Sequence, residues 1–195
     1  MKRQLFSLGL ILLCLSFLSI DEASAQRTSK GVVHIGVSQM VSAYSIPSGG
    51  LELNAGMYLL NSYWKAGLCA VDYNQKVTGA FSEPTWFDHI HYIAYGDWMY
   101  RIIGTYSRSV NLYAGGGIFL GASSYEVFKK LPDELSSGLP SLEFIYGIKP
   151  CIELECFVSR KVALTLGVNS PLTFSSSLST DLWHLTGSLG VRVNL

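Results

Sequence analysis

The chain has 195 residues, with fourteen basic and fourteen acidic side chains, so it is neutral overall and offers no electrostatic footprint for nucleic acid. Only 14% of its residues are charged, against roughly a quarter in soluble domains, while 49% are hydrophobic and Gly, Ser and Tyr are plentiful. A surface that must be wet all round is hard to build from such a composition.

Lys2 and Arg3 open the chain, a nearly unbroken apolar run covers residues 5–20, and Ala23-Ser24-Ala25 follows. That layout predicts a secretory signal peptide over 1–25 with an A-x-A cleavage site, its apolar core being short for a membrane anchor. Cys14 does not mark a lipoprotein, because Leu13 stands where a small residue is needed. Cleavage removes two bases and two acids, leaving a neutral single domain over 26–195. No second apolar stretch approaches the ~18 residues of a spanning helix.

From residue 31 onward, runs of period two and β-type composition follow one another. The first, 31–41, alternates Val33, Ile35 and Val37 with His34, Gly36 and Ser38, and ends at a loop with Pro47 and Gly49-Gly50. The second and third, 51–60 and 63–73, are joined so briefly that they read as a hairpin. Trp64, Ala66, Leu68 and Ala70 share one face of the third, and Tyr63, Lys65, Gly67 and Cys69 the other.

A longer polar loop leads to the fourth strand, 86–96, with an extension to Ile103, and a short turn at Tyr106-Ser107-Arg108 leads to the fifth, 110–121. There Leu112, Ala114, Ile118 and Leu120 oppose Asn111, Tyr113, Gly115 and Gly117. The longest connection, 123–140, precedes strand six, 142–158, in which Pro150 is expected to upset the alternation. Ser159-Arg160-Lys161 turns into strand seven, 162–168, and a Ser-rich loop, 169–180, precedes the last strand, 182–195. That strand sets Trp183, Leu185, Leu189, Val191, Val193 and Leu195 against His184, Thr186, Ser188, Arg192 and Asn194.

Long and short connections therefore alternate. Both features predict an all-β fold, an eight-stranded antiparallel up-and-down β-barrel of outer-membrane type, with long external loops and tight periplasmic turns. The bore of such a barrel is about wide enough to be filled by side chains. Lys65, Glu153, Glu155 and Arg192 are candidates for charges inside it. The four tryptophans near strand ends fit interfacial girdles and ordinary core aromatics equally well.

Little chemistry is legible. His89 and His91 lie two apart on one strand face and are weak metal candidates without a clear third ligand. Glu153 and Glu155 are spaced as paired carboxylates, but nothing in the sequence places them in a cleft. Gly115-Gly116-Gly117 lacks the lysine and helix of a phosphate loop and reads as a close approach of strands. Neither a nucleophile elbow nor a catalytic cysteine signature occurs. Cys69, Cys151 and Cys156 are an odd set, and the last two point to opposite faces of a regular strand. No catalytic residue or cofactor is expected. The candidate partner contact is the loop tip with Lys129, Lys130, Asp133 and Glu134. Ser188, Gly190, Val193 and Leu195 are spaced like the assembly signal of outer-membrane barrels, although Leu195 stands where that signal has an aromatic residue.

The chain resembles the TraO proteins of Bacteroides-type conjugative transposons. The likeness rests on length, the export signal, Tyr146-Gly147 leading into Ile152-Glu153-Leu154-Glu155, the run Val158-Ser159-Arg160-Lys161-Val162-Ala163-Leu164, and the closing alternation from Leu185 to Leu195. It implies a non-enzymatic part in conjugal DNA transfer at the outer membrane. The expected partners are outer-membrane lipid and other proteins of the transfer apparatus, without direct nucleic-acid binding. A stand-alone barrel of porin or adhesin type, and a soluble periplasmic ligand-binding barrel, are the alternatives.

Overall fold

The computed structural model describes residues 30–42, 49–77, 85–105, 109–124, 142–174 and 185–195, with backbone alone at 74–77 and 85–89. Residues 1–25, expected to be a signal peptide, and the loop tip with Lys129, Lys130, Asp133 and Glu134 lie outside the described residues.

Nine strands are present: β1 (Val33–Ser42), β2 (Gly49–Tyr58), β3 (Ser62–Val77), β4 (Thr85–Gly104), β5 (Val110–Ser124), β6 (Leu142–Phe157), β7 (Val162–Asn169), β8 (Leu172–Thr173) and β9 (Thr186–Asn194). All pairings are antiparallel. Each strand from β1 to β6 pairs with the next, and β9 pairs with both β7 and β1, so the sheet closes and leaves no long edge. β8 meets β6 in the register that β7 has already set, Gly147 opposite Thr173 as Cys151 is opposite Asn169. β7 and β8 are therefore one barrel strand in two pieces, and the barrel has eight.

The interruption has a cause. Pro150 of β6 and Pro171 between β7 and β8 both lack an N–H for the ladder, and they fall almost opposite one another. Pro150 keeps its carbonyl engaged, accepting from the Ser170 amide at 3.0 Å. The expectation that Pro150 upsets the alternation is corrected here. From Leu142 to Phe157 inward and outward residues alternate without a slip, because the missing Pro150 N–H falls on the side of β7 and β8, in the gap between them. The Ser-rich loop begins later than expected, since the chain is still paired at Leu172–Thr173 and the Phe174 amide donates to the Tyr146 carbonyl.

Tight turns close one end. The Leu59 amide donates to the Ser62 carbonyl between β2 and β3, Thr105 to Val110 between β4 and β5, and Val158 to Val162 between β6 and β7. In the last of these, Ser159 Oγ also accepts from the Val162 amide at 3.1 Å, a local side-chain bond that fixes the turn. At the β4 turn the register slips between Arg101 and Ile103, a bulge that turns both Ile102 and Ile103 outward. The Leu195 amide donates to the Val33 carbonyl, so β1 and β9 close the barrel at this same end.

Candidate functional site

Strand parity gives this barrel two surfaces of opposite character. Among the buried described residues, twenty are polar or charged and fourteen are apolar, which reverses the usual order of a water-soluble core. Large apolar side chains are instead exposed around the wall: Ile35 on β1, Leu53 on β2, Leu68 on β3, Ile118 on β5, Ile152 on β6, Leu166 on β7 and Leu189 on β9. A contiguous apolar band of that extent is far beyond what a soluble monomer tolerates.

Aromatic side chains bracket the band. Toward the turns, Trp64 and Trp98 are cross-strand partners, both exposed, and Tyr100 follows on the same face of β4. Toward the loops stand Tyr92, Phe144, Tyr146 and Phe174, with the last three in sequential ring contact at 6.1 and 6.2 Å. Tyr92 and Tyr100 are separated along β4 by about 26 Å, which at a strand tilt of ~40° projects to about 20 Å along the barrel axis. That is close to the ~25 Å apolar band and paired aromatic girdles of membrane barrels. Trp64 and Trp98 thus take the girdle place rather than a core place. The side chains of Trp86 and Trp183 lie outside the described residues.

The lumen is stacked in three layers. Nearest the turns, Tyr58, Tyr63, Met99, Tyr113 and Cys151 pack together; nearest the loops, Met40, Cys69, Val71, Tyr73, Ile93, Tyr95, Phe119 and Ile145 do the same. Between and beside these plugs runs a belt of charge. Arg192 of β9 donates from Nη1 to Glu155 and from Nη2 to Glu153, each at 2.6 Å. Glu153 also accepts from Lys65 Nζ at 2.8 Å and from the Tyr63 hydroxyl at 2.6 Å, and Tyr58 donates to Glu155. Lys65 reaches on toward Glu52, which accepts from Tyr95 at 2.5 Å and Asn54 at 2.9 Å. Lys149 pairs with Asp97 at 2.9 Å and sits 3.1 Å over the Tyr95 ring.

These charges are buried, so their desolvation must be met by partners, and the belt gives each at least one opposite charge. Close packing of the rings depends on glycine at facing positions. A Cβ at Gly67 would lie 2.6 Å from the Tyr95 hydroxyl, and one at Gly147 would lie 2.8 Å from the Phe119 ring. Among Glu52, Lys65, Lys149 and Glu153 the belt leaves room for about one water molecule.

The sequence-predicted residues fall as follows. Lys65, Glu153, Glu155 and Arg192 all face the lumen and form the heart of the belt. Glu153 and Glu155 are held by one guanidinium rather than set across a cleft. His91 faces inward against the Tyr73 ring at 4.7 Å, and the His89 side chain lies outside the described residues. Among the described residues no group of three His, Cys, Asp or Glu could hold a metal ion. Gly115-Gly116-Gly117 sits in β5 where β4 and β6 approach closely: a Cβ at Gly116 would lie 2.7 Å from the Lys149 carbonyl. Cys151 points inward and Cys156 does not, as their spacing predicted, and Cys69, Cys151 and Cys156 are all free. Ser188, Gly190, Val193 and Leu195 sit on or just after β9, which closes the barrel, with Val193 and Leu195 exposed on its outer face.

Glu52, Asp97 and Lys149 were not anticipated in the lumen. Parity could have found each of them: Glu52 lies between outward Leu51 and Leu53, Asp97 is two on from inward Tyr95, and Lys149 is two before inward Cys151.

No protein-family model matches the sequence, and no curated protein is similar to it. Solved structures are. The N-terminal β-barrel domain of Pseudomonas aeruginosa OprF matches with a TM-score of 0.54 at 10% identity, over 85% of this chain and 98% of that one. A major outer-membrane protein of Thermus thermophilus matches at 0.53 and 11%, over 84% and 99%. Neisserial surface protein A matches at 0.52 and 14%, over 84% and 96%. The chain has the fold of outer-membrane β-barrels.

Proposed function

We propose that the chain is an integral outer-membrane barrel that works as a non-enzymatic scaffold, offering its ends to partners while its lumen stays shut. One observation carries the reading: the apolar, girdled face points outward and the charged face points inward, the arrangement that lipid solvation stabilises and water does not. A soluble ligand-binding barrel needs the opposite placement. A general diffusion porin needs an open bore, whereas this one is plugged at both ends of its charge belt.

The finer assignment is a component of a conjugative DNA-transfer apparatus. It is supported by the TraO-like segments around Tyr146-Gly147, by 152–164 and by the closing strand. A stand-alone outer-membrane barrel of porin or adhesin type is the second reading, and the fold shared with Neisserial surface protein A suits a barrel that stands alone.

Fractionation of cells expressing the full chain tests the scaffold reading. Recovery with the outer membrane is expected, and recovery as a soluble periplasmic protein overturns it. Deletion of the gene from a mobile element, followed by mating, separates the finer readings. Loss of transfer that is restored by the gene in trans supports the apparatus, and undiminished transfer supports the stand-alone barrel.

A further inference from the structure

The ladder is interrupted where β6 meets β7 and β8. Pairing runs from Phe157 opposite Ala163 to Cys151 opposite Asn169, stops, and resumes at Ile148 opposite Leu172 and Gly147 opposite Thr173. One bond spans the gap, from the Ser170 amide to the Pro150 carbonyl at 3.0 Å. Antiparallel residues so placed exchange two bonds, and the second, from residue 150 to the Ser170 carbonyl, cannot form because proline has no N–H. Ser170 is itself buried, and its hydroxyl has no hydrogen-bond partner among the described residues. Pro150 is exposed between Ile148 and Ile152, so the gap lies within the apolar outer wall. Both losses are costly there, since hydrocarbon supplies neither donors nor acceptors.

The gap backs onto the charge belt. The water-sized space beside Lys149 and Glu153 is also lined by Cys151 and Asn169, the last ladder pair before the gap, and by Ile152 and Val168, a cross-strand pair exposed on the outer face. Cys151 Sγ donates to Asp97 Oδ2 at 3.7 Å, so this thiol belongs to the belt. On the far side of the gap, β8 is held to β6 by two residue pairs and by the Phe174 amide on the Tyr146 carbonyl. On the near side, β7 is paired along its length with both β6 and β9. Local opening starts in segments with few such bonds, and β8 is the shortest strand of the barrel wall. Packed side chains plug the lumen toward each end, so the gap is the direct approach to the belt.

We propose that β8 is a flap hinged at Pro171, and that its lifting from β6 opens a lateral port through which small uncharged polar molecules pass from the membrane side to the charge belt. This rests on the membrane-barrel reading above. Charged solutes are excluded from such a route, because they do not dissolve in the hydrocarbon that surrounds it.

The test uses protein purified from cells expressing the full chain with Cys14→Ala, Cys69→Ala and Cys156→Ala, which keeps Cys151 as the one thiol. Reconstituted in phosphatidylcholine vesicles, it is treated with methyl methanethiosulfonate, which is small, uncharged and enters bilayers, or with the charged sulfonatoethyl reagent, which does not. A folded, heat-modifiable band in the vesicles tests the membrane reading by itself, and its absence overturns that reading and this inference together. In the folded barrel Cys151 is expected to react with the uncharged reagent and to be spared by the charged one. Pro150→Ala supplies the missing N–H, and a roughly five- to tenfold slower reaction is expected, the weight of one ladder bond on a local opening. In a companion chain that keeps Cys69 alone, in the loop-side plug, Pro150→Ala is expected to leave the rate unchanged. Equal Cys151 rates with and without Pro150, equal rates for the two reagents, or no reaction of Cys151 in the folded barrel overturns the port. A parallel slowing at Cys69 also overturns it, because the substitution would then act on the whole barrel.

Discussion

The two faces of the same strands obey opposite rules. On β3, Trp64, Ala66 and Leu68 look outward while Tyr63 and Lys65 look inward, and the alternation repeats around the closed sheet. A soluble protein would put the leucine inside and the lysine outside. Here the inner face buries charge at a desolvation cost offset by pairing, whereas the outer face needs no such pairing because its side chains are apolar and the closed ladder engages the backbone of its strands. The lumen thus depends on particular partners, and the outer wall depends on little more than being apolar.

That contrast can be broken most severely at Arg192. Arg192→Met leaves Glu153 and Glu155 buried without their shared cation, and a loss of ~3–5 kcal/mol in unfolding free energy is expected in urea titrations of the reconstituted barrel. Adding Glu153→Gln and Glu155→Gln to the same chain is expected to recover part of it, since the buried negative charge is then gone. A loss under about 1 kcal/mol for the single change would mean that the belt is wet.

The outer wall is next. Ile118 lies between the two girdle levels, paired with Gly96 and Ile148, and is well exposed. Ile118→Arg is expected to cost ~2–4 kcal/mol in lipid, the midplane value for a lipid-facing cation. Ile118→Leu should cost almost nothing, because that face demands only apolarity. If the arginine is as harmless as the leucine, the wall does not meet lipid.

A smaller effect is expected where the loop-side plug depends on glycine. Gly67→Ala sets a methyl group against the Tyr95 hydroxyl, which donates to Glu52, and a loss of ~1–3 kcal/mol is expected from the overpacking. Ala66→Gly, one residue away on the lipid side, crowds nothing and should cost less. At the periphery, Lys161→Gln in phosphatidylcholine should stay within about 0.5 kcal/mol of the parent, as exposed substitutions usually do.

Much of this was legible in the sequence because a barrel strand writes its faces with a period of two. The alternations of β1, β3, β5 and β9 and the long-short rhythm of the connections sufficed to place nearly every strand and to assign Lys65 and Arg192 to the lumen. What the sequence did not disclose is pairing across the bore. Glu153 meets Lys65 and Arg192, partners far away in the chain that come together only when β9 closes on β1. Glu52 stands as the lone charge of β2, and Asp97 of β4 and Lys149 of β6 find each other across the bore, so nothing local announces either pairing. Pro150 misled for a related reason: it reads as a breaker by itself, but Pro171 lies almost opposite it, the two share one gap and the barrel runs past it.

The account stands most directly on the cold-against-boiled gel mobility of the protein recovered in the outer-membrane fraction. A closed, lipid-embedded barrel keeps its fold in detergent until heated, so an unheated sample is expected to migrate ahead of a boiled one, with the boiled band at the position of the unfolded chain. Identical mobility before and after heating, or recovery of the protein in the soluble fraction, would contradict the claim that the apolar outer wall is solvated by the membrane.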